Sequence, residues 1–421
     1  MIMQLLGKIT EKKTYHFHQN FYLRLNIGYT TILFGLLPKS KMESLYLFFI
    51  AFIGITGSYI TWQQYRPPQK ITWHNIPLSI TIILISIMLA IRCYASDWCQ
   101  YYSLFLQYQT GYDPLREPEF LWQGITRCLA ATGMSAQLYF VIMFALQLYL
   151  FFRVIRKNFP FLLPFAAAIY LITDMMNGSN IMRHWTAILI FLNAIPYIEK
   201  RKLLPYTLLF FIASGFHKSI WLFFPLYWIL NYSITSNIKI QLSIIFISLI
   251  FGQTLILQFL RIITSWMPTG YYDFYANQGE ELQLNKGHVS SGLGILLYYL
   301  CNLSVVIYSN VLKRYYRKYH FYIFYKAFFY GQILYSALYK AGDSARLSAY
   351  LYYTHPFLIA FLLHYLWKHR QNTMYLIWFV ALCFMLLAPY LLGLFNKEEL
   401  IFFWNMQNHL RFMYELNNHR Y

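Results

Sequence analysis

Residues 76–91 and 374–394 hold no charged side chain and are apolar on every helical face. Stretches of this kind approach or exceed the ~20 residues that cross a hydrocarbon core of ~30 Å. No water is available there to satisfy backbone N–H and C=O groups, so only helices or a closed barrel can span. The runs lack the period-2 alternation of barrel strands, which leaves helices. Charged residues make up 12% of the chain, about half the share a soluble domain uses to cover its surface. The expected fold is all-α: a polytopic integral membrane protein with about 12–13 transmembrane helices.

Candidate spans run at 21–37, 43–62, 71–92, 137–152, 159–175, 184–198, 239–258, 291–311, 321–338, 349–366 and 373–394. Between them, 203–215 and 217–231 form a pair whose arms are too short to cross, which predicts a re-entrant or broken hairpin. The span at 21–37 contains Arg24 and Asn26 and is marginal; an interfacial helix is the alternative. The chain reads as one transmembrane domain over 1–421, with long outer loops at 93–136 and 259–290 and an interfacial helix near 398–416. The opening residues are polar and basic with no small-residue cleavage site, so no cleavable signal peptide is expected.

Loop charge sets the orientation. The net charge of +19 would suggest nucleic acid in a soluble protein. Here the basic residues sit in short connections between apolar runs, as the positive-inside bias requires, and no nucleic-acid partner is expected. Starting inside, the inner loops carry Arg66 and Lys70; Arg153, Arg156 and Lys157; Lys200, Arg201 and Lys202; Lys313, Arg314, Arg317 and Lys318; Lys368 and Arg370. Of fifteen acidic residues only Glu11 and Glu199 fall inside, so any carboxylate chemistry faces out. Cys93, Cys99 and Cys128 can approach one another outside the membrane, where a disulfide is permitted. Buried small hydrophobes are the preferred reading of the five cysteines.

Four polar clusters carry candidate chemistry. The 93–136 connection holds Asp97, Asp113, Glu117 and Glu119 among aromatic residues, a mixture suited to sugar hydroxyls and rings, or simply to turns and caps. Arg183 and His184 open an apolar helix after the Asn177–Asn180 turn. An arginine at membrane depth marks an anion site unless it snorkels to the interface, and its fork suits a diphosphate. His217 and Lys218 sit at the hairpin tip, where the histidine is an acid, base or phosphate donor, or else a hydrogen-bonded linker. Asp343 and Arg346 are three residues apart and either pair or leave Arg346 for an anion. There is no Asp-x-Asp motif, no ATP-binding glycine loop and no His-Glu-x-x-His zinc site, so neither a metal nor another cofactor is expected. The short inner loops leave no room for a nucleotide domain, so the substrate should arrive in the membrane.

Residues 40–370 resemble the EpsG/Wzy-like exopolysaccharide and O-antigen polymerases. The strongest stretch runs from Met176-Asn177-Gly178-Ser179-Asn180-Ile181-Met182-Arg183-His184 through Lys200-Arg201-Lys202 to Phe216-His217-Lys218-Ser219. It is similar to that family's Met-Asn-x-Ile-Arg-Gln helix start, basic turn and Phe-His-x-Ser segment. Asp97-Trp98-Cys99-Gln100-Tyr101, Glu117-Pro118-Glu119-Phe120 and Arg346-Leu347-Ser348-Ala349-Tyr350 resemble flanking family motifs in the same order. A Ser-Asn insertion before Ile-Met-Arg and His184 in place of Gln depart from the pattern. The resemblance implies a metal-independent glycosyltransferase of a bacterial inner membrane. It would join oligosaccharide repeat units carried on polyprenyl diphosphate, of the undecaprenyl kind, for capsule, exopolysaccharide or O-antigen. Other polysaccharide assembly proteins are partners that the resemblance admits. Diphosphate binding falls to Arg183, His184, Lys218 and Arg346; catalysis to His217 and a base among Asp97, Asp113, Glu117 and Glu119; other substrate contacts to Tyr101, Asn177, Asn180 and Tyr350. A lipid-linked glycan flippase or other transporter is the alternative, and a membrane O-acyltransferase using His217 is a third reading.

Overall fold

The computed structural model describes residues 39–64, 75–91, 97–111, 119–265, 293–338 and 346–395. The expected 21–37 span, Asp113, Glu117, most of the 259–290 connection and the 398–416 helix lie outside these. Regular structure among the described residues is entirely helical. In chain order it comprises α1 (Lys39–Gln64), α2 (Ile76–Ile91), α3 (Trp98–Gln109), α4 (Phe120–Ala131), α5 (Ala136–Asn158), α6 (Leu163–Thr173), α7 (Met175–Asn180) and α8 (Met182–Glu199). Beyond these come α9 (Leu203–Ser214), α10 (Leu226–Ile229), α11 (Ile238–Ser265), α12 (Leu293–Tyr315), α13 (Phe321–Leu338), α14 (Ala349–Tyr352), α15 (His355–Lys368) and α16 (Thr373–Phe395).

The outer helices expose apolar side chains that water would reject. Phe48 and Phe52 on α1, Ile80 and Ile83 on α2, Phe246 and Phe251 on α11, and Ile377 and Phe384 on α16 all face outward. Contiguous exposure of this kind is expected of a surface solvated by lipid. Ala136–Asn158 and Leu296–Tyr315 are long and apolar enough to cross a membrane on their own. Shorter apolar helices, including Ile76–Ala90, Leu203–Ser214 and Thr373–Ala388, pack beside them. The chain is an all-α polytopic membrane protein. Its centre is α8, buried on nearly every side from Met182 to Ile198 and packed against α5, α9, α13 and α14.

Three expected elements differ in detail. The 93–136 connection is largely helical, with α3 and α4 packed on each other. Two of its aromatic residues pack into the core: Trp98 stacks on Phe140 at 5.4 Å, and Tyr101 lies tilted against Trp122 at 5.3 Å. The second arm of the 203–231 hairpin is not a helix but a 3-10 turn, Lys218–Phe223, followed by the single-turn α10. Pro225 removes an N–H and crowds the preceding turn. Carbonyls in and after this irregular stretch find side-chain donors, as interior backbone requires: Tyr206 Oη donates to Phe224 O at 3.2 Å, and Lys326 Nζ to Leu230 O and Tyr232 O. The 349–366 span is broken at Tyr353–Thr354, where Pro356 opens α15. Cys301 is buried and Cys383 half-buried as expected, whereas Cys128 is exposed; all three carry free thiols. Cys93 lies outside the described residues.

Candidate functional site

The site forms where four chain segments meet at one end of the bundle. The first is the start of α4. Its leading N–H groups have no partner inside the helix, and those of Leu121 and Trp122 both donate to Gly215 O at 3.0 Å. This contact requires Gly215: a Cβ there would lie 2.6 Å from Leu121. The start of α4 is thereby seated on the turn that carries His217, and Glu119, immediately before it, is delivered in extended conformation.

The Glu119 carboxylate joins two other segments. Arg183 Nη1, on the first turn of α8, donates to Oε2 at 2.8 Å, and His217 Nδ1 lies 3.1 Å from Oε1. A carboxylate only accepts, so Nδ1 carries the hydrogen, and the tautomer this selects has its lone pair at Nε2. The side chain of Glu119 is 5% exposed while that of His217 is 31% exposed, so the imidazole, not the carboxylate, is open to an incoming group. Burial alone would raise the Glu119 pKa. The His217 hydrogen bond and the positive charge of Arg183, with smaller help from Lys218, reverse this and hold it below the usual value. The Arg183 guanidinium also lies over the Tyr101 ring, 5.7 Å from its centroid. Burial raises the Tyr101 pKa against the opposing charge of Arg183, so this residue is a neutral platform and hydrogen-bonding group.

The fourth segment is 346–350. Tyr350 Oη lies 3.0 Å from Ser219 Oγ, just beyond His217. The His184 ring sits 4.8 Å from both the His217 and Tyr350 rings. It is 5% exposed, and neither nitrogen has a hydrogen-bond partner among the described residues. Set between these two rings, His184 is a candidate ligand group. Arg346 is close enough to act on His184 electrostatically.

Nearly all the expected site residues in the described part therefore converge: Tyr101, Glu119, Arg183, His184, His217, Lys218, Arg346 and Tyr350. Asn180 supports them from behind, its Oδ1 accepting the Asp97 backbone N–H at 3.3 Å. Asp97 is thus fixed to the α7–α8 turn. Asp113, Glu117 and the side chain of Asn177 lie outside the described residues. Ser219 also belongs to the site, although the sequence marks it only as the last residue of a motif. Among the described residues no group of His, Cys, Asp or Glu is arranged to hold a metal.

The fold and the site define a helical membrane protein with a cluster of basic and histidine side chains gathered at one end of its bundle. The chain belongs to the EpsG family, which matches residues 75–401. That membership gives it an exopolysaccharide-polymerase-like, glycosyltransferase-like role in polysaccharide biosynthesis at the membrane. Neither a curated protein nor a solved structure matches the chain.

Proposed function

We propose that the protein is a multi-pass polymerase of a bacterial inner membrane. It joins polyprenyl-diphosphate-linked oligosaccharide repeat units at the extracytoplasmic face. The observation that carries this reading is the Arg183–Glu119–His217 constellation, in which one carboxylate holds both an anion-binding fork and an imidazole base. The loop-charge bias supports the orientation with this end of the bundle outside.

In the reaction, a sugar hydroxyl of one repeat unit attacks the anomeric carbon of another. A carbon–oxygen bond forms, the bond from that carbon to the diphosphate oxygen breaks, and polyprenyl diphosphate leaves. The hydroxyl proton passes to Nε2 of His217, which Glu119 orients through Nδ1. Glu119 itself, buried and doubly paired, is an orienting group and a poor base. Asp97, Asp113 and Glu117 remain second candidates for the acceptor side. The principal electrostatic demand is the charge developing on the leaving diphosphate. Arg183, Lys218 and Arg346 meet it, with a ring N–H of His184 as a further donor.

Host strains carrying Arg183→Ala or Arg346→Ala test the proposal by the length distribution of the surface glycan. The expected result is accumulated single repeat units and a lost ladder. Full-length polymer from both variants at normal protein levels would overturn it. Lost export of a normal-length glycan would point to a flippase, and altered substituents at unchanged length to an acyltransferase.

A further inference from the structure

A second polar cluster lies inside the bundle, and the proposed chemistry makes no use of it. His355 is fully buried at the start of α15, and its Nε2 lies 3.0 Å from Asp174 Oδ2, between α6 and α7. Nδ1 of the same ring donates to Tyr352 O at 3.0 Å, which fixes the ring plane. The Tyr298 hydroxyl of α12 meets Nε2, and Thr173 Oγ1 lies 2.6 Å from Asp174 Oδ2. A buried polar cluster of this kind is weak evidence for a gain in stability, and that alone does not account for it.

Its position does. Asp174 stands at the break that leads into α7 and then to Arg183 and His184. His355 stands at the break that follows α14, which carries Tyr350, with Arg346 just upstream. The two halves of the site are thus tied together on the far side of each break, while Trp185 and Tyr353 pack between the ties at 4.2 Å. From behind, Gly331 of α13 meets the Leu351–Tyr352 backbone, where a Cβ would come within 2.5 Å. The segment 346–352 is held between α13 and this cross-brace, and Asn302 of α12 adds a buried hydrogen bond by donating to Tyr352 Oη at 2.8 Å.

We infer that Asp174 and His355 are positioning residues. They set the distance between Arg183–His184 and Arg346–Tyr350, and so the gap in which the anionic group sits. The inference rests on the site assigned above but not on the identity of its substrate. A displacement of about 1 Å in such a gap lowers turnover about 100-fold.

The test uses the full chain in lipid nanodiscs and in its host. His355→Ala should accelerate amide hydrogen exchange in 175–184 and 346–352 together, and lower polymer yield about 100-fold at equal protein level. The double variant Asp174→Asn/His355→Gln replaces both partners but keeps hydrogen-bonding groups at both positions. It should restore slow exchange and bring yield back to within about tenfold of wild type, since replacing both partners leaves neither stranded. Normal yield from His355→Ala would overturn the inference. So would lost yield with unchanged exchange, or a folded double variant that is as inactive as the single one. If the exchange results hold while wild type makes no polymer at all, the proposed substrate is wrong and the positioning role stands.

Discussion

Replacing Glu119 with glutamine changes almost no volume and removes one charge, and the geometry specifies the consequence. The carboxylate accepts from Arg183 Nη1 at 2.8 Å and from His217 Nδ1 at 3.1 Å. An amide has one accepting oxygen and one donating nitrogen. With its oxygen toward His217, its NH2 meets the guanidinium donor against donor, and Arg183 loses this acceptor. With its oxygen toward Arg183, its NH2 faces Nδ1, which can accept only if the ring hydrogen moves to Nε2. That is the tautomer with no base. The first arrangement loses a charge-assisted hydrogen bond of about 1.5–3 kcal/mol, or roughly 10- to 150-fold in rate at 1.36 kcal/mol per tenfold. The second carries the larger penalty known for a wrong imidazole tautomer, about 10⁴-fold in a serine-protease triad. Polymer synthesis by Glu119→Gln should thus fall at least about tenfold at unchanged membrane insertion, with Glu119→Asp intermediate. The assay is the glycan ladder of strains expressing equal amounts of each variant. A Glu119→Gln ladder indistinguishable from wild type would refute the orienting role and return the base to another carboxylate.

The same geometry sets three further outcomes. Gly215→Ala drives a methyl to 2.6 Å from Leu121, so it should unseat α4 and cost about 1–3 kcal/mol; thermal melting in detergent would show this, and adding Leu121→Ala should recover part of the loss. Lys326→Met strands the Leu230 and Tyr232 carbonyls and should lower thermal stability by about 1–3 kcal/mol, read by the same melt. Because the Glu119 pKa is held below 4.5, its contribution is fully present above that value and is lost only as pH falls through the lowered one; melting temperature against pH should show that acid step in wild type and not in Glu119→Gln.

The spans are legible in the sequence because hydropathy and loop charge act over whole segments. The broken elements are not, because Pro225 and Pro356 sit in stretches whose apolar character conceals where backbone hydrogen bonding stops. Arg183, His217 and Arg346 are legible singly, as polar groups that are costly at membrane depth. Four carboxylates look equivalent in the sequence. Only the docking of α4 on Gly215 distinguishes Glu119, and that contact joins positions almost a hundred residues apart. His355 carries no formal charge and escapes a reading based on charge cost, although a histidine opening an apolar helix beside a proline is the same kind of signal as Arg183.

The burial of α8 also divides the site mechanically. Arg183 and His184 ride on a helix buried on nearly every side, whereas Glu119 and His217 come from a peripheral helix start and a 3-10 turn joined through the Gly215 carbonyl and the Glu119–His217 hydrogen bond. A substrate that needs more room cannot gain it by displacing the cationic wall. Room for a different glycan would come at least cost to the bundle from the peripheral side, where α4 is seated on Gly215.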